Sequence, residues 1–429
     1  MHNWQSILLI VSLFWQTAPE AKAQEHILHT QFFGIEDGLS HRDVQCIHQD
    51  QQGFIWVGTN YGLNRFDGYE FKWFTKEKHG LQSNTINHIV SDGDGLMWLF
   101  NTTNRIFQTP LSIDIFDPIT GEVVKKKKKF GKSAPFPINH IFSFAAAADG
   151  RIFFSTIKGQ LFVYTPGKGF EVRQLSLRYF VLHSFSAHQT IWGYAYNKNT
   201  EIREAVVEID FEGKVLRRYD PGYPIQNTFI AGADRKENLW YIIKRNGPKP
   251  PDYSEGLLYR ITRQGGSEKI IQRKKNWPID SLDLDRVGFG GGFQVWMHPT
   301  QGFLYLFSRN SFQVFHPEKG WYFELEPAHK FLAYTNTVFF DRKGNAWAGT
   351  SFGLYRIEIS LNPFSQILAD KNEDNFRAFR GITEDSSGNL WASNDRGNGW
   401  LWEIKKQNQQ YQVRDIRAAN PVVTDSLEY

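Results

Sequence analysis

Four groups of residues have the types and spacing from which chemistry is built. Asp92-Gly-Asp94-Gly95 sets two carboxylates on a glycine-rich turn, as a cation-binding loop begins. His88 and His140 recur in the same tetrapeptide, Ile-Asn-His-Ile at 86–89 and 138–141, and two imidazoles on equivalent strands would suit a transition metal. Gly288-x-Gly290-Gly291-Gly292 has the glycine density of a nucleotide-cradling loop. Glu208 and Asp210, two residues apart, would share one face of a strand and so pair two carboxylates for acid–base work.

Each group reads more simply. A calcium loop needs further oxygen ligands and a distal Glu, which do not follow Gly95, so Asp92 reads as a turn residue. Phe293 stands where a dinucleotide fingerprint needs its third glycine, and no helical pattern follows, so this is a loop. Registered on Gly95 and Gly150, the two histidines fall three positions apart, unless part of the Ala145–Ala148 run is an insertion. Glu208 and Asp210 read as a solvated outer face. No serine nucleophile elbow or P-loop occurs. Cys46, the only cysteine, can form no internal bridge and no cysteine-rich zinc site. The expectation is a chain with no catalytic residues, no metal and no cofactor. The alternative is a lyase or hydrolase that gathers its residues from separate repeats and leaves no local signature, or a protein-docking platform.

The elements that position these residues come from repetition. Gly53-Phe-Ile-Trp56-Val-Gly58-Thr59-Asn-Tyr-Gly62-Leu63-Asn-Arg65 returns as Gly344-Asn-Ala-Trp347-Ala-Gly349-Thr350-Ser-Phe-Gly353-Leu354-Tyr-Arg356. Further copies are anchored by Trp98, Phe153, Trp192, Trp240, Tyr305 and Trp391, at separations of 39 to 65 residues. Asp50, Asp92, Asp234, Asp341 and Asp385 each stand six residues before a Trp. The unit reads as strand, Asp-x-x-Gly turn, strand carrying the aromatic wedge, Gly-centred turn, third strand, and then an outer strand such as Tyr69–Trp73 after Asp67-Gly68. Four strands in about 42 residues make a propeller blade. The predicted fold is all-β, a β-propeller of about eight four-stranded blades. The count allows one seven-bladed ring plus the start of a second, or a single eight-bladed ring. His26–Phe33 has strand character and would complete the last blade of the ring. The long interval from Trp240 to Tyr305 is filled by Gly256–Ile261, a Pro-rich loop at 246–252 and a new blade starting at Phe293-Gln-Val-Trp296, with no blade missing.

Composition agrees: 36 Phe, 17 Tyr, 14 Trp and 36 Gly favour strands and tight turns. A net charge of +4, dispersed along the chain, argues against nucleic acid. The basic run Lys125–Lys129 reads as a solvated loop. Ile7–Trp15 followed by Ala21-Lys22-Ala23 reads as an export signal over residues 1–23, leaving Gln24 first. The predicted domains are residues 24–375 as a seven-bladed ring and 376–429 as the first blade of a second, or the eighth of one ring.

The string Phe33-Gly-Ile-Glu-Asp-Gly38-Leu39-Ser40, followed by Val44-x-x-Ile47-x-x-Asp50-x-x-Gly53-x-x-Trp56-x-Gly58-Thr59-x-x-Gly62-Leu63-x-Arg65-Phe66-Asp67, resembles the two-component regulator propeller family. Gly80-Leu81-Gln-Ser83-Asn84-Thr-Ile86 looks like that family's blade start. The resemblance implies a periplasmic sensor of a hybrid histidine kinase, with two seven-bladed rings, an immunoglobulin-like domain, a membrane span and a kinase core beyond them. The chain would then be the N-terminal part of a sensor, or a stand-alone relative. It would lack the kinase, reach the membrane only through missing C-terminal parts, and dimerise through the parent kinase. The expected ligand is a saccharide or other small molecule at the channel mouth. The residues expected there are Arg42, Asn60, Tyr61, Asn101, Asn104, Ser351, Phe352, Asp395 and Arg396, with His41 and Asp43 in the same loops.

Overall fold

The structure is a computed structural model that describes residues 26–102, 110–125, 129–130, 140–186, 189–196, 203–219, 228–234, 236, 238–244, 256–262, 267–269, 294–298, 301–308, 311–316, 321–324, 334–361, 379–394, 401–407 and 410–416. The chain divides into two compact units, one of residues 28–358 and a second holding the C-terminal residues 359–429.

Among the described residues, eight four-stranded sheets follow one another along the chain, in agreement with the repeat. Blades 1 to 6 occupy residues 44–74, 88–123, 141–174, 180–219, 228–269 and 294–324, each an antiparallel meander. Blade 7 takes three strands from Thr335–Phe340, Ala346–Thr350 and Gly353–Leu361; its fourth is His26–Phe33, from the start of the described chain, lying beside Gly353–Leu361. Blade 8, residues 379–415, has the same four-strand order. Gly256–Ile261 pairs with Leu239–Lys244 and Gln294–Met297 opens blade 6, as the spacing predicts. The Pro-rich loop at 246–252 and the glycines at 288–292 lie outside the described residues.

The Asp of the Asp-x-x-Gly turn does more than open the turn. Asp50 Oδ1 accepts the backbone N–H groups of Gly53 (2.8 Å) and Phe54 (3.0 Å), while Oδ2 accepts the indole N–H of Trp56 at 2.7 Å. The same carboxylate–indole bond joins Asp92 to Trp98 (2.9 Å), Asp234 to Trp240 (2.8 Å), Asp341 to Trp347 (2.9 Å) and Asp385 to Trp391 (3.0 Å). Six residues is the reach of a side chain from the turn to the second residue of the next strand. Where the anchor is Phe153, which has no N–H, the turn position is Ala147. Blade 6 has a turn one residue longer, opened by His298. Gln301 N–H donates to His298 Nδ1 (3.0 Å), so the proton sits on Nε2, which donates to the Gly344 carbonyl of blade 7 (3.0 Å).

The anchors of blades 1, 2, 3, 6 and 7 enter the next blade. Trp56 meets Phe116 at 5.5 Å, Trp98 meets Tyr164 at 5.0 Å, Phe153 meets Phe211 at 4.6 Å and Tyr305 meets Phe340 at 5.2 Å. Trp347 of blade 7 packs on Phe66 of blade 1 at 6.0 Å, with Phe33 of the N-terminal strand in the same cluster, and so the ring of residues 28–358 closes. Gly58 and Gly349 let blades approach: a Cβ at Gly58 would lie 2.6 Å from the Ile86 carbonyl, and one at Gly349 would strike Val44.

The three-position offset read between the two histidines holds, and two other sequence expectations are corrected. The register pairs His88 with Phe100 and puts Ser143, not His140, at the corresponding place in blade 3, so the shared tetrapeptide is not a shared position. Lys129 is not a solvated lysine; its Nζ lies 2.6 Å from the buried Asp92 carboxylate and 5.3 Å from the Tyr164 ring centroid. Burial opposes the ammonium charge there, but Asp92 overrides it and holds the Lys129 pKa above its ordinary value. Glu208 is buried, accepts Thr190 Oγ1 at 2.6 Å and pairs with Arg217 at 2.5 Å, a guanidinium that stacks on Trp192 at 5.1 Å.

Replacing Asp341 with Ala leaves the Trp347 indole N–H buried without its acceptor and is expected to cost about 2–3 kcal/mol in urea unfolding. Adding Trp347→Phe, which recreates the Ala147/Phe153 pairing, should cost less in that background than in the wild type, with a coupling of about 1–2 kcal/mol. Strict additivity of the two changes would disprove the lock.

Candidate functional site

Five of the nine residues expected at a channel mouth lie where blade 7 meets blade 1. Two hairpins of identical construction frame the place. Thr59 Oγ1 donates to the Gly62 carbonyl (3.0 Å) and accepts the Tyr61 N–H (3.0 Å). Thr350 Oγ1 does the same with Gly353 (2.9 Å) and Phe352 (3.0 Å). The clasp needs a left-handed glycine at the end of the tip, and Gly62 has φ of 97°. Each clasp therefore presents a polar residue and then an aromatic one: Asn60-Tyr61 in blade 1, Ser351-Phe352 in blade 7. Tyr61 is 48% exposed and Tyr334, whose ring lies 5.1 Å from Phe352, is 49% exposed.

Between the hairpins lies Asp43, held by two amides. Asn60 Nδ2 donates to its Oδ2 (2.6 Å) and Asn336 Nδ2 to its Oδ1 (2.9 Å). Asn336 also donates to the Val44 carbonyl (2.9 Å) and lies 3.3 Å from Ser351 Oγ, so one side chain ties both blades. A β-bulge sets its aim. In blade 7 the register between the first two strands slips from Thr335 to Thr337, with Asn336 at the slip. The same slip recurs at Val44/Cys46, Ile141/Ser143, Leu182/Ser184, Ile230/Gly232 and Phe379/Gly381. Arg42 completes the group, with its guanidinium carbon 5.6 Å from the Phe352 ring centroid.

Of the residues expected from sequence, Arg42, Asn60, Tyr61, Ser351 and Phe352 thus share one seam. Asn101 belongs to blade 2, where its amide donates to Ser83 Oγ at 2.5 Å. Asn104, Asp395 and Arg396 lie outside the described residues. Tyr334 and Asn336 were not expected. The signal for Asn336 was its place next to the start of the blade's first strand, but a bulge leaves no mark in residue types.

The other end of the same blade 1 strand closes the seam differently. The Arg342 guanidinium of blade 7 donates to the backbone carbonyls of Asp50 and Gln51, the latter at 3.1 Å. His48 spans three blades: its Nε2 lies 2.6 Å from Ser91 Oγ of blade 2, and its ring 6.1 Å from that of Phe339 in blade 7. Burial, opposed by Asp50 and reinforced by Arg342, lowers its pKa to about 4. Among the described residues, no group of three or more His, Cys, Asp or Glu is placed to hold a metal ion. Nor, among them, is any helix long and apolar enough to cross a membrane.

Comparison with known proteins agrees with the motif. Residues 38–61 match the family model described as "Two component regulator propeller". A 62-residue stretch is 47% identical to a histidine kinase of Formosa agariphila, covering 14% of this chain and 4% of the kinase. The resemblance read from Phe33 to Asp67 is therefore met by the family model over residues 38–61, and the chain carries that family's repeat there. Among solved structures, a streptogramin B lyase superposes with a TM-score of 0.51 at 12% identity, over 78% of this chain and 98% of the lyase. The extracellular domain described as that of a one-component system from B. thetaiotaomicron gives 0.50 at 16% identity, over 90% of this chain and 48% of that domain. At such identities these likenesses show the propeller fold alone.

A histidine kept neutral in the folded state, with its pKa at about 4 rather than 6.5, removes stability as pH falls from about 6.5 towards 4, because the unfolded chain takes up the proton first. His48→Gln should therefore flatten the stability–pH curve in that window by roughly 1–3 kcal/mol. Urea midpoints between pH 7 and 4.5 would check it; parallel curves for the two proteins would refute it.

Proposed function

We propose that this chain is the ligand-reading module of an extracytoplasmic two-component sensor, and that it binds a saccharide on the ring face where blades 7 and 1 meet. The observation that carries the reading is the pair of clasped hairpin tips in adjacent blades, which present Tyr61 and Phe352 beside Arg42, Asn60, Asn336 and Ser351. Sugar rings have apolar faces that stack on aromatics and hydroxyls that bond to amides, and this seam offers both kinds of partner. The repeat at residues 38–61 and the matched kinase segment support a sensor, since that family's model is named for two-component regulation.

On this reading the chain binds without turning its ligand over. The Asp43 carboxylate beside the platform has both oxygens bonded to amides. Residues 1–23 are the export signal, the location is the periplasm, and blade 8 is the first blade of a second ring. Output belongs to a kinase core outside this sequence, through which the sensor would dimerise and reach the membrane.

Titration calorimetry of the folded chain against a panel of oligosaccharides, neutral and acidic, should find at least one that releases heat. Tyr61→Ala and Phe352→Ala should each weaken that binding about tenfold. Absence of heat with every sugar, or binding indifferent to both substitutions, would overturn the proposal.

A further inference from the structure

Arg42 differs from two other stacked guanidiniums, Arg151 and Arg217, and from the half-buried Arg65, 4.7 Å from the Phe54 ring centroid, in being exposed. Arg151 lies 4.6 Å from the Phe211 ring centroid and is bound by Asp149 at 2.6 Å. Arg217 lies over Trp192 and is bound by Glu208. In both, the aromatic fixes the plane of the guanidinium and a carboxylate takes its N–H groups. Arg42 has the aromatic, Phe352, itself braced by Tyr334, and it is exposed. Among the described residues, no carboxylate or carbonyl bonds to it.

The adjacent carboxylate is turned away. Asp43 is next in sequence, yet its two oxygens accept from Asn60 and Asn336. Its backbone N–H donates to His41 Nδ1 at 3.0 Å, which fixes the turn that separates the Arg42 and Asp43 side chains. The amides thus keep this carboxylate from closing on the arginine. What remains is an oriented fork of donors at the edge of an aromatic platform, with a geometry that matches a planar or tetrahedral oxyanion.

We infer that the ligand carries an acidic group, a carboxylate or a sulfate ester, bound by Arg42 while its rings lie against Tyr61 and Phe352. The inference rests on the saccharide reading of the same seam and narrows it to acidic sugars. The charge of Arg42 would select among sugars, and the aromatic tips would supply contact common to all of them.

The test uses the full chain and three probes of matched length: galacturonate oligomers, sulfated galactose oligomers and uncharged galactose oligomers. At least one acidic series should bind about ten- to a hundredfold tighter than the uncharged one in about 50 mM salt, with the advantage shrinking towards 500 mM. Which acidic series binds distinguishes carboxylate from sulfate. Arg42→Gln should abolish the advantage by weakening acidic binding about ten- to a hundredfold, far more than it weakens uncharged binding, and Arg42→Lys, which keeps the charge but not the fork, should restore part of it. Arg42 is exposed, so both variants should keep the wild-type unfolding midpoint, which confirms that they fold. Equal binding of all three series, or an advantage that survives Arg42→Gln, would overturn the acidic-ligand inference and leave the saccharide reading intact. No binding by any series to the folded protein would overturn both.

Discussion

A carboxylate that accepts an indole N–H six residues away is the interaction on which the ring depends. The anchor Trp of blades 1, 2, 5 and 7 is buried, and its N–H would have no partner there unless the same blade supplied one. The turn Asp supplies it and at the same time caps the turn's own backbone donors, so its desolvated charge is met by several hydrogen bonds at once. One residue therefore sets turn geometry, the rotamer of the wedge and, through the wedge, the spacing to the next blade. In blade 2 the Asp92 carboxylate gains a further partner in Lys129, drawn in from the connection after the fourth strand. The exchange of Asp for Ala147 where Phe153 replaces Trp shows the dependence from the other side: without the N–H, the carboxylate has no reason to be buried.

Much of this was legible in the residues because it is local. Asp, Gly and Trp at fixed offsets specify turn, strand and wedge within ten residues, and every anchor falls on the second strand of its sheet. The Asp offset itself was visible, but its meaning was read only as turn chemistry. That the side chain reaches the indole requires the strand direction after the turn. What sequence could not show lies between blades. Lys129 sits in a run of five lysines that reads as solvated, and only packing against Asp92 and Tyr164 singles it out. Glu208 alternates like an exposed residue, yet Arg217, on the adjoining strand, neutralises it under cover of Trp192.

The seam shows the same division. Tyr61 and Phe352 could be paired from the repeat because their hairpins share one wording, Gly-Thr-x-aromatic-Gly. That they are neighbours in space follows from ring closure, which brings residues of the first and seventh blades together. Asn336 had no such signal. A bulged residue departs from strict alternation, so its aim is decided by the ladder's slip and not by its type. The platform is thus a product of repetition, and its chemistry comes from the residues in which the two copies differ: Asn60 against Ser351, Tyr61 against Phe352.

The strand His26–Phe33 has a consequence for how the molecule is made. Contacts across the closing seam, such as Asn336 to Asp43, join residues 293 apart in sequence. Bringing such distant points together carries a loop-closure entropy on the order of 5 kcal/mol, recovered only when blade 7 receives its fourth strand. Blades 1 to 6 can form from local hairpins in the order in which the chain emerges, while the first strand must wait unpaired for the last. Ring closure is then a single late step of high contact order. The platform at the seam does not exist before it, so recognition is available only to a chain whose ring is finished.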